Sequence, residues 1–150
     1  MVFEAADHRA LARWWSEALG WPLDFDDEEE AGLRAPEGSA LAELTFVPSP
    51  APKVAKNRVH LDLASSSLED QAAIVDRLVA AGARRVDIGQ GDVPWVVLAD
   101  PEGNELCVLE PRDWTAGRGS LAAVVVDAAD PNGLGPFWEA ATGWSVARRT

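Results

Sequence analysis

The sequence predicts an α+β fold in which two consecutive βαβββ modules form a curved mixed sheet around a cavity, followed by a partial third module. An internal repeat is the first reason. Residues 2–7 (VFEAAD) match residues 125–130 (VVDAAD), and residues 15–21 (WSEALGW) match residues 138–144 (WEAATGW). Both matches share one offset of 123 positions, from 2 to 125 and from 15 to 138. The second reason is that three strand candidates follow each of the first two helices.

A weaker third copy of the repeat lies between these two. Residues 60–65 (HLDLAS) have the pattern of a strand, and the helical pattern after them runs to Gly82. Glu4, Asp62 and Asp127 hold equivalent places in the three copies. Each copy is therefore expected to begin with a strand and to continue with a helix.

Capping residues and apolar stripes predict the three helices. Asp7 can cap the first, residues 66–69 (SSLE) form a capping-box pattern that opens the second, and Gly82 can end it. Asp130 precedes Pro131, which suits a first helical turn. The expected stripes are Leu11, Trp15, Ala18 and Leu19 in the first helix, Leu68, Ala72, Val75, Leu78 and Val79 in the second, and Leu134, Trp138 and Ala141 in the third.

The strand pattern divides the chain into modules. Strands are expected at about 22–26, 31–35, 40–47, 84–89, 94–99 and 105–110. The modules then occupy residues 1–47 and 58–112, which together form one domain joined by a proline-rich segment. Residues 113–119 are expected to be a linker, and residues 120–150 the βα start of a second domain of the same kind.

Composition excludes several classes of function. The net charge of −12 argues against nucleic acid and against anionic membrane surfaces as partners. No apolar run approaches the ~20 residues that span a bilayer, and no leader-like segment is expected at the N-terminus. The single cysteine, Cys107, allows no intrachain disulfide, so the cytoplasm is the expected location.

Three segments carry a family resemblance. They are residues 10–21 (ALARWWSEALGW), 56–63 (KNRVHLDL) and 100–109 (DPEGNELCVL). With them, residues 1–112 resemble the vicinal oxygen chelate superfamily of glyoxalases, bleomycin-resistance proteins and extradiol dioxygenases, and within it the glyoxalase-like branch. The resemblance implies a small-molecule cavity inside the curved sheet. It also implies four metal-ligand positions, which map here to Val2, Glu43, His60 and Cys107.

Alternation along residues 58–64 selects two candidate site residues. Leu61 and Leu63 should face the helices, so His60 and Asp62 should face the cavity. His60 can ligate a metal, contact a ligand or simply be satisfied by Asp62. Glu4 lies at the place equivalent to Asp62, and such a carboxylate pair can bind a cationic ligand or share a proton. Otherwise each carboxylate satisfies local donors.

Three further residues complete the predicted ligand-binding set. Glu43 is a ligand or general base if it faces the cavity, and an exposed strand carboxylate if it does not. Trp95 is expected to form an aromatic wall of the cavity or to pack in the core. Cys107 stands where metal-using relatives usually carry a carboxylate, and it is either a soft metal ligand or a small apolar filler.

These residues favour binding without a catalytic metal. Val2 cannot ligate, and catalytic metal sites commonly use three protein ligands. The leading prediction is thus a glyoxalase/bleomycin-resistance-like protein that binds a small molecule. The alternative is a lyase, isomerase or dioxygenase with a divalent metal held by His60 and Glu43. A third possibility is an interaction module that does not use its cavity.

Residues 120–150 cannot bury their own apolar face. Four explanations are open: a fragment of a two-domain protein, a truncated gene, a strand that pairs with the sheet of a second copy, and a helix that covers the first domain. Because an unpaired strand promotes association, the sequence predicts a homodimer or other self-association through this segment.

Overall fold

The first module folds as one strand, one helix and three strands. The structure, a computed structural model, describes residues 1–37, 39, 41–117 and 119–146. The elements of the first module are β1 (Val2–Ala5), α1 (His8–Leu19), β2 (Leu23–Asp26), β3 (Ala31–Arg34) and β4 (Glu43–Pro48).

The second module repeats this order, and a strand and a helix follow it. Its elements are β5 (Val59–Leu63), α2 (Leu68–Ala80), β6 (Arg84–Arg85), β7 (Val96–Ala99) and β8 (Glu105–Val108). A short 3-10 turn (Asp113–Thr115) then leads to β9 (Leu121–Val126) and α3 (Pro131–Thr142). The strand predicted over 84–89 is limited to two residues, and Trp95 precedes β7 rather than lying in it.

Each module builds one mixed sheet. The four-stranded sheet has the order β1-β4-β3-β2, and the five-stranded sheet has the order β6-β7-β8-β5-β9. In both, the first strand of the module pairs in parallel with the last, β1 with β4 and β5 with β8, and the remaining pairs are antiparallel. The predicted α+β class with two βαβββ modules and a partial third is confirmed.

Local signals explain where the helices begin and end. Asp7 caps α1 by accepting a hydrogen bond from Ala10 N, and Gly20 ends it with a left-handed φ of 69°. The cap of α2 is Ser67, one residue later than predicted. The Asp70 carboxylate accepts a hydrogen bond from the backbone N–H of the serine just before this cap. None of the described helices is long and apolar enough to cross a membrane.

The apolar stripe of α2 differs from the prediction. Leu68 is 63% exposed and Val79 41% exposed, so only Val75 and Leu78 of the predicted stripe are buried. Gln71 is buried beside them because its amide nitrogen donates to Pro94 O and Val108 O, both at 3.0 Å. Tertiary hydrogen bonds thus place a polar residue where periodicity predicts an apolar one.

One hydrophobic core joins the two modules around α1. Trp15 is completely buried, with Phe3 at 5.8 Å between ring centroids, and its Nε1 donates to Asp100 Oδ2 of the second module at 3.1 Å. Arg77 of α2 donates to the last carbonyls of α1, and Glu102 accepts hydrogen bonds from two backbone N–H groups just before α1. The turn at 100–104, which carries both Asp100 and Glu102, therefore joins the two modules.

The C-terminal segment joins the second module. β9 pairs antiparallel with β5, and Ser120 Oγ donates to Leu19 O at 2.6 Å. The strand thus lies in the sheet of its own chain. Among the described residues of α3 none is buried, and Phe137 and Trp138 are 59% and 46% exposed.

Candidate functional site

The site is built on the face of the five-stranded sheet that points away from the main core. Leu61 and Leu63 of β5 are buried in that core at 0% and 2% exposure. His60 and Asp62 alternate with them and therefore project from the opposite face. This confirms the alternation predicted for residues 58–64.

Three chemically active side chains meet on this face. His60 Nε2 lies 3.4 Å from Asp62 Oδ1, and Asp62 is opposite Cys107 in the parallel pairing of β5 with β8. One donor atom from each of the three residues lies within 4.8 Å of the other two. We call His60, Asp62 and Cys107 the His60 cluster.

The His60 cluster has hydrogen-bonding capacity that the described residues do not use. Its histidine and aspartate side chains are only 12% and 13% exposed. Buried His60 Nδ1 has no hydrogen-bond partner among the described residues, and Asp62 Oδ1 forms no hydrogen bond of good geometry beyond its 3.4 Å contact with His60 Nε2. Because an unpaired buried polar atom costs about 1–3 kcal/mol, these atoms favour a bound molecule, water or ion at this place.

The thiol of Cys107 is held in its neutral form. Burial, and next the carboxylate of Asp62, raise the pKa of Cys107 to about 12. A thiol with that pKa is almost entirely protonated at neutral pH, and the thiolate is the reactive species. Cys107 is therefore suited to packing or to donating a weak hydrogen bond rather than to nucleophilic attack.

An apolar wall lies beside the His60 cluster at Cys107. Cys107 packs with Val97 and Leu109, and four partly buried residues pack against these three: Val86, Ile88, Trp95 and Ala122. The Arg112 guanidinium lies 5.8 Å from the Trp95 ring centroid and donates to Glu110 at 2.7 Å. Polar groups set in an apolar surround are the usual composition of ligand sites.

Glu4 and Glu43 lie on the other sheet. Glu4, on β1, accepts a hydrogen bond from Ser49 Oγ at 3.1 Å and lines a cleft of about 670 Å³ beside residues 51–53. Glu43, on β4, is exposed and accepts a hydrogen bond from Thr45 Oγ1 at 3.1 Å. The structure thus brings His60, Asp62 and Cys107 together next to Trp95, and it places the two glutamates in a different sheet.

The pairing of β5 explains this separation. Among the described strands β1 pairs only with β4, whereas β5 has β8 on one side and β9 on the other. The repeat indicated that Val125 of β9 is equivalent to Val2 of β1, but the residues alone did not show which strand lies beside His60.

Asp100 is a buried polar residue whose structural role the sequence did not reveal. Its carboxylate accepts hydrogen bonds from Trp15 Nε1, from the backbone N–H of Glu102 and from both nitrogens of Asn104. Burial raises its pKa above the usual range, and these hydrogen bonds act against that rise. Asp100 lies on the core side of the sheet and stabilises the fold.

The donor set of the His60 cluster fits one class of metal. It offers an imidazole nitrogen, a carboxylate oxygen and a sulfur, the ligand types of zinc, while magnesium and calcium prefer oxygen alone. The unpaired His60 Nδ1 and Asp62 Oδ1 are consistent with this class. The pair predicted for the metal alternative, His60 with Glu43, is divided between the two sheets.

Solved structures share this fold. A glyoxalase-related enzyme from Fulvimarina pelagi is 20% identical with a TM-score of 0.61, covering 85% of this chain and 96% of that one. A possible glyoxalase from Bacillus cereus is 18% identical with a TM-score of 0.57, covering 73% and 94%. Oxidase ChaP-H2 is 20% identical with a TM-score of 0.54, covering 75% and 91%. These identities establish similarity of fold alone.

No curated protein matches the sequence significantly. The profile of the Glyoxalase-like domain family matches residues 1–109, which is most of the chain and includes the whole His60 cluster. Together with the two βαβββ modules, this match shows that the chain belongs to the Glyoxalase-like domain family.

Proposed function

We propose that this chain binds a small molecule at the His60 cluster and does so without a catalytic metal. The observation that carries the proposal is the unused hydrogen-bonding capacity of buried His60 Nδ1 and Asp62 Oδ1, next to the apolar wall that packs with Cys107. A ligand that satisfies them has a hydrogen-bond donor or a cationic group for the Asp62 carboxylate. Its apolar body packs against the wall that contains Trp95 and Val97.

The protonated thiol supports binding without a metal. A soft ion binds the thiolate of Cys107, so it has to displace a proton that the raised pKa of about 12 holds in place. His60 and Asp62 then remain as two ready ligands, fewer than the three that catalytic sites commonly use. A buried, unpaired cysteine also suits a reducing compartment such as the cytoplasm.

A thermal-shift screen tests the proposal. The library consists of aromatic and aliphatic compounds that carry an amine or hydroxyl group, and each is added to wild type, to Asp62→Asn and to Val124→Ala. We expect compounds that raise the melting temperature of wild type and of Val124→Ala but not of Asp62→Asn. Compounds that stabilise all three proteins equally would place binding elsewhere and contradict the proposal.

Metal-dependent chemistry is a second candidate, favoured by the three donor atoms within 4.8 Å of one another. His60, Asp62 and Cys107 would hold a zinc-type ion. Such an ion polarises substrate oxygens and lowers the pKa of bound water. Titration with Co²⁺ separates the candidates, because thiolate coordination produces a near-ultraviolet charge-transfer band. A band in wild type that is absent in Cys107→Ser supports the metal, and its absence in both supports metal-free binding.

A further inference from the structure

The C-terminal strand β9 reaches the face that carries the His60 cluster. In the antiparallel pairing of β5 with β9, His60 lies opposite Val125 and Asp62 lies opposite Ala123. Side chains directly opposite each other in such a pair project from the same face of the sheet. Ala122 lies at an irregularity in this pairing, between the partners of Asp62 and Leu63, and it packs against the apolar cluster that contains Cys107, so β9 reaches that cluster there.

The alternate residues of β9 face the other way. Val124 is opposite Leu61 and Val126 is opposite Val59. Both valines line a largely apolar cleft of about 640 Å³ together with Leu134 and Trp138 of α3. The strand therefore has one face toward the His60 cluster and one toward α3.

We infer that β9 forms one wall of the His60 site, and that Ala123 and Val125 set the width of the group that can reach Asp62 and His60. The inference rests on the proposed function and deepens it. Asp62 lies between Ala123 on β9 and Cys107 on β8. Since alanine is small on one side and a buried thiol stands on the other, the molecule that fits presents a narrow donor group here, such as a primary amine or a single hydroxyl.

Because the chain has a single cysteine, the effect of β9 on access to the His60 site can be measured by thiol labelling, without a ligand. Because the raised pKa of Cys107 keeps its thiolate scarce, labelling of the folded protein is slow, and its rate is followed with reagents of increasing size: methyl methanethiosulfonate, iodoacetamide, N-ethylmaleimide and Ellman's reagent. The variants are Ala123→Leu, which narrows the site, and Val125→Ala, which widens it. Val124→Ala is the matched control because its side chain faces α3. Circular dichroism and melting temperature are recorded for each protein.

The expected result is a change in size selectivity. Ala123→Leu should slow N-ethylmaleimide and Ellman's reagent about tenfold relative to methyl methanethiosulfonate, since the three carbon atoms that leucine adds overfill a packed site. Val125→Ala should accelerate the two larger reagents, and Val124→Ala should match wild type. If Ala123→Leu lowers the melting temperature sharply, Ala123→Val makes the same comparison with less overpacking.

Two outcomes would overturn the inference. Reagent ratios that are the same in every protein would show that Cys107 reacts through opening of the sheet and that β9 does not limit access. An equal response of Val124→Ala and Val125→Ala would show that the side of the strand does not matter. Labelling needs no ligand, so the wall can be supported even if the thermal-shift screen fails. Conversely, a ligand that binds wild type and all β9 variants with equal affinity would support the proposed function and contradict the inference that β9 forms a wall of the site.

Discussion

The unit β1–α1 and the unit β9–α3 have matching sequences but very different environments. Trp15 of α1 is 0% exposed and Trp21 is 4% exposed, whereas their counterparts Trp138 and Trp144 are 46% and 58% exposed. Both helices begin with an aspartate cap and end at a glycine with positive φ. The signals that begin and end the helix are thus the same in the two units, whereas the burial of the tryptophans differs.

The difference shows what buries the aromatic stripe of such a helix. In the first module α1 packs on β2, β3 and β4, where Leu33, Leu44 and Phe46 are fully buried. No described strand takes their place over α3. Capping and periodicity therefore suffice to form the helix, while tertiary partners decide whether its apolar face contributes to stability.

The largest expected difference in the free energy of unfolding is between variants of the equivalent tryptophans of α1 and α3. Trp15→Ala should lower the free energy of unfolding by about 3–5 kcal/mol, because it empties the centre of the core and removes the hydrogen bond to Asp100. Trp138→Ala should change it by less than about 0.5 kcal/mol. Urea unfolding followed by circular dichroism measures both. Similar losses for the two variants would mean that α3 is packed as tightly as α1.

The second prediction compares two aspartates. Asp100→Ala should cost about 2–4 kcal/mol, since it leaves buried donors of Trp15 and Asn104 without a partner. Asp130→Ala removes only the exposed cap of α3 and should cost about 1 kcal/mol or less. The same unfolding assay applies. If Asp130→Ala lowered the free energy of unfolding as much as Asp100→Ala, the β9–α3 unit would contribute to stability as much as the core of the first module, which would contradict the account.

The third prediction is a pH dependence of the sheet that β9 extends. The pKa of Cys107 is raised from 9.0 to about 12 in the folded protein. Because the folded protein favours the neutral thiol, the contribution of Cys107 to the free energy of unfolding is fully present below pH 9. It is lost as the pH rises from 9 toward 12 and the unfolded chain ionises first. Wild type should lose up to about 1.4 kcal/mol per pH unit in that window, and Cys107→Ala should not show this contribution.

Few other side chains titrate in this pH window, because the chain has no tyrosine and only two lysines, Lys53 and Lys56. Unfolding free energies of wild type and Cys107→Ala are compared at pH 8, 9 and 10. Parallel curves would show that the thiol is not held neutral, and that the surroundings of the His60 cluster are wetter than described.

The smallest expected effect on stability belongs to the exposed face of α3. We propose that Phe137 and Trp138, at 59% and 46% exposure, mediate the self-association predicted for residues 120–150. Trp138→Glu should then change unfolding by less than about 0.5 kcal/mol while shifting sedimentation from dimer toward monomer. A wild type that sediments as a monomer at all concentrations would remove the predicted dimer.

Much of the fold was predictable because its signals are local. Alternation and capping residues located the strands and helices, and the repeat revealed the modules. The failures have non-local causes. Leu68 and Val79 match the helical period but lie outside the packed face. Trp95 belongs to a strand-like run, yet β7 begins one residue later. Hydrogen bonds across the molecule put Gln71 in the core.

The site was only partly predictable for the same reason. Period-two alternation identified His60 and Asp62, and the family position of Cys107 placed it near them. Whether Glu4 and Glu43 line the same cavity as the His60 cluster depends on which strands lie next to each other in the sheets. That choice involves residues about 60 positions apart in the sequence, and nothing in the alternation of one strand specifies its neighbour. The pairing of β5 with β9 therefore emerged only from the structure.

Amide hydrogen exchange with and without the best thermal-shift compound tests the location of the site most directly. Binding at the His60 cluster should slow exchange in residues 59–63 and 105–108, and in 121–126 if β9 forms a wall. Residues 2–5 and 43–48, which carry Glu4 and Glu43, should exchange unchanged. Protection confined to those two strands would contradict the account and move the site to the four-stranded sheet.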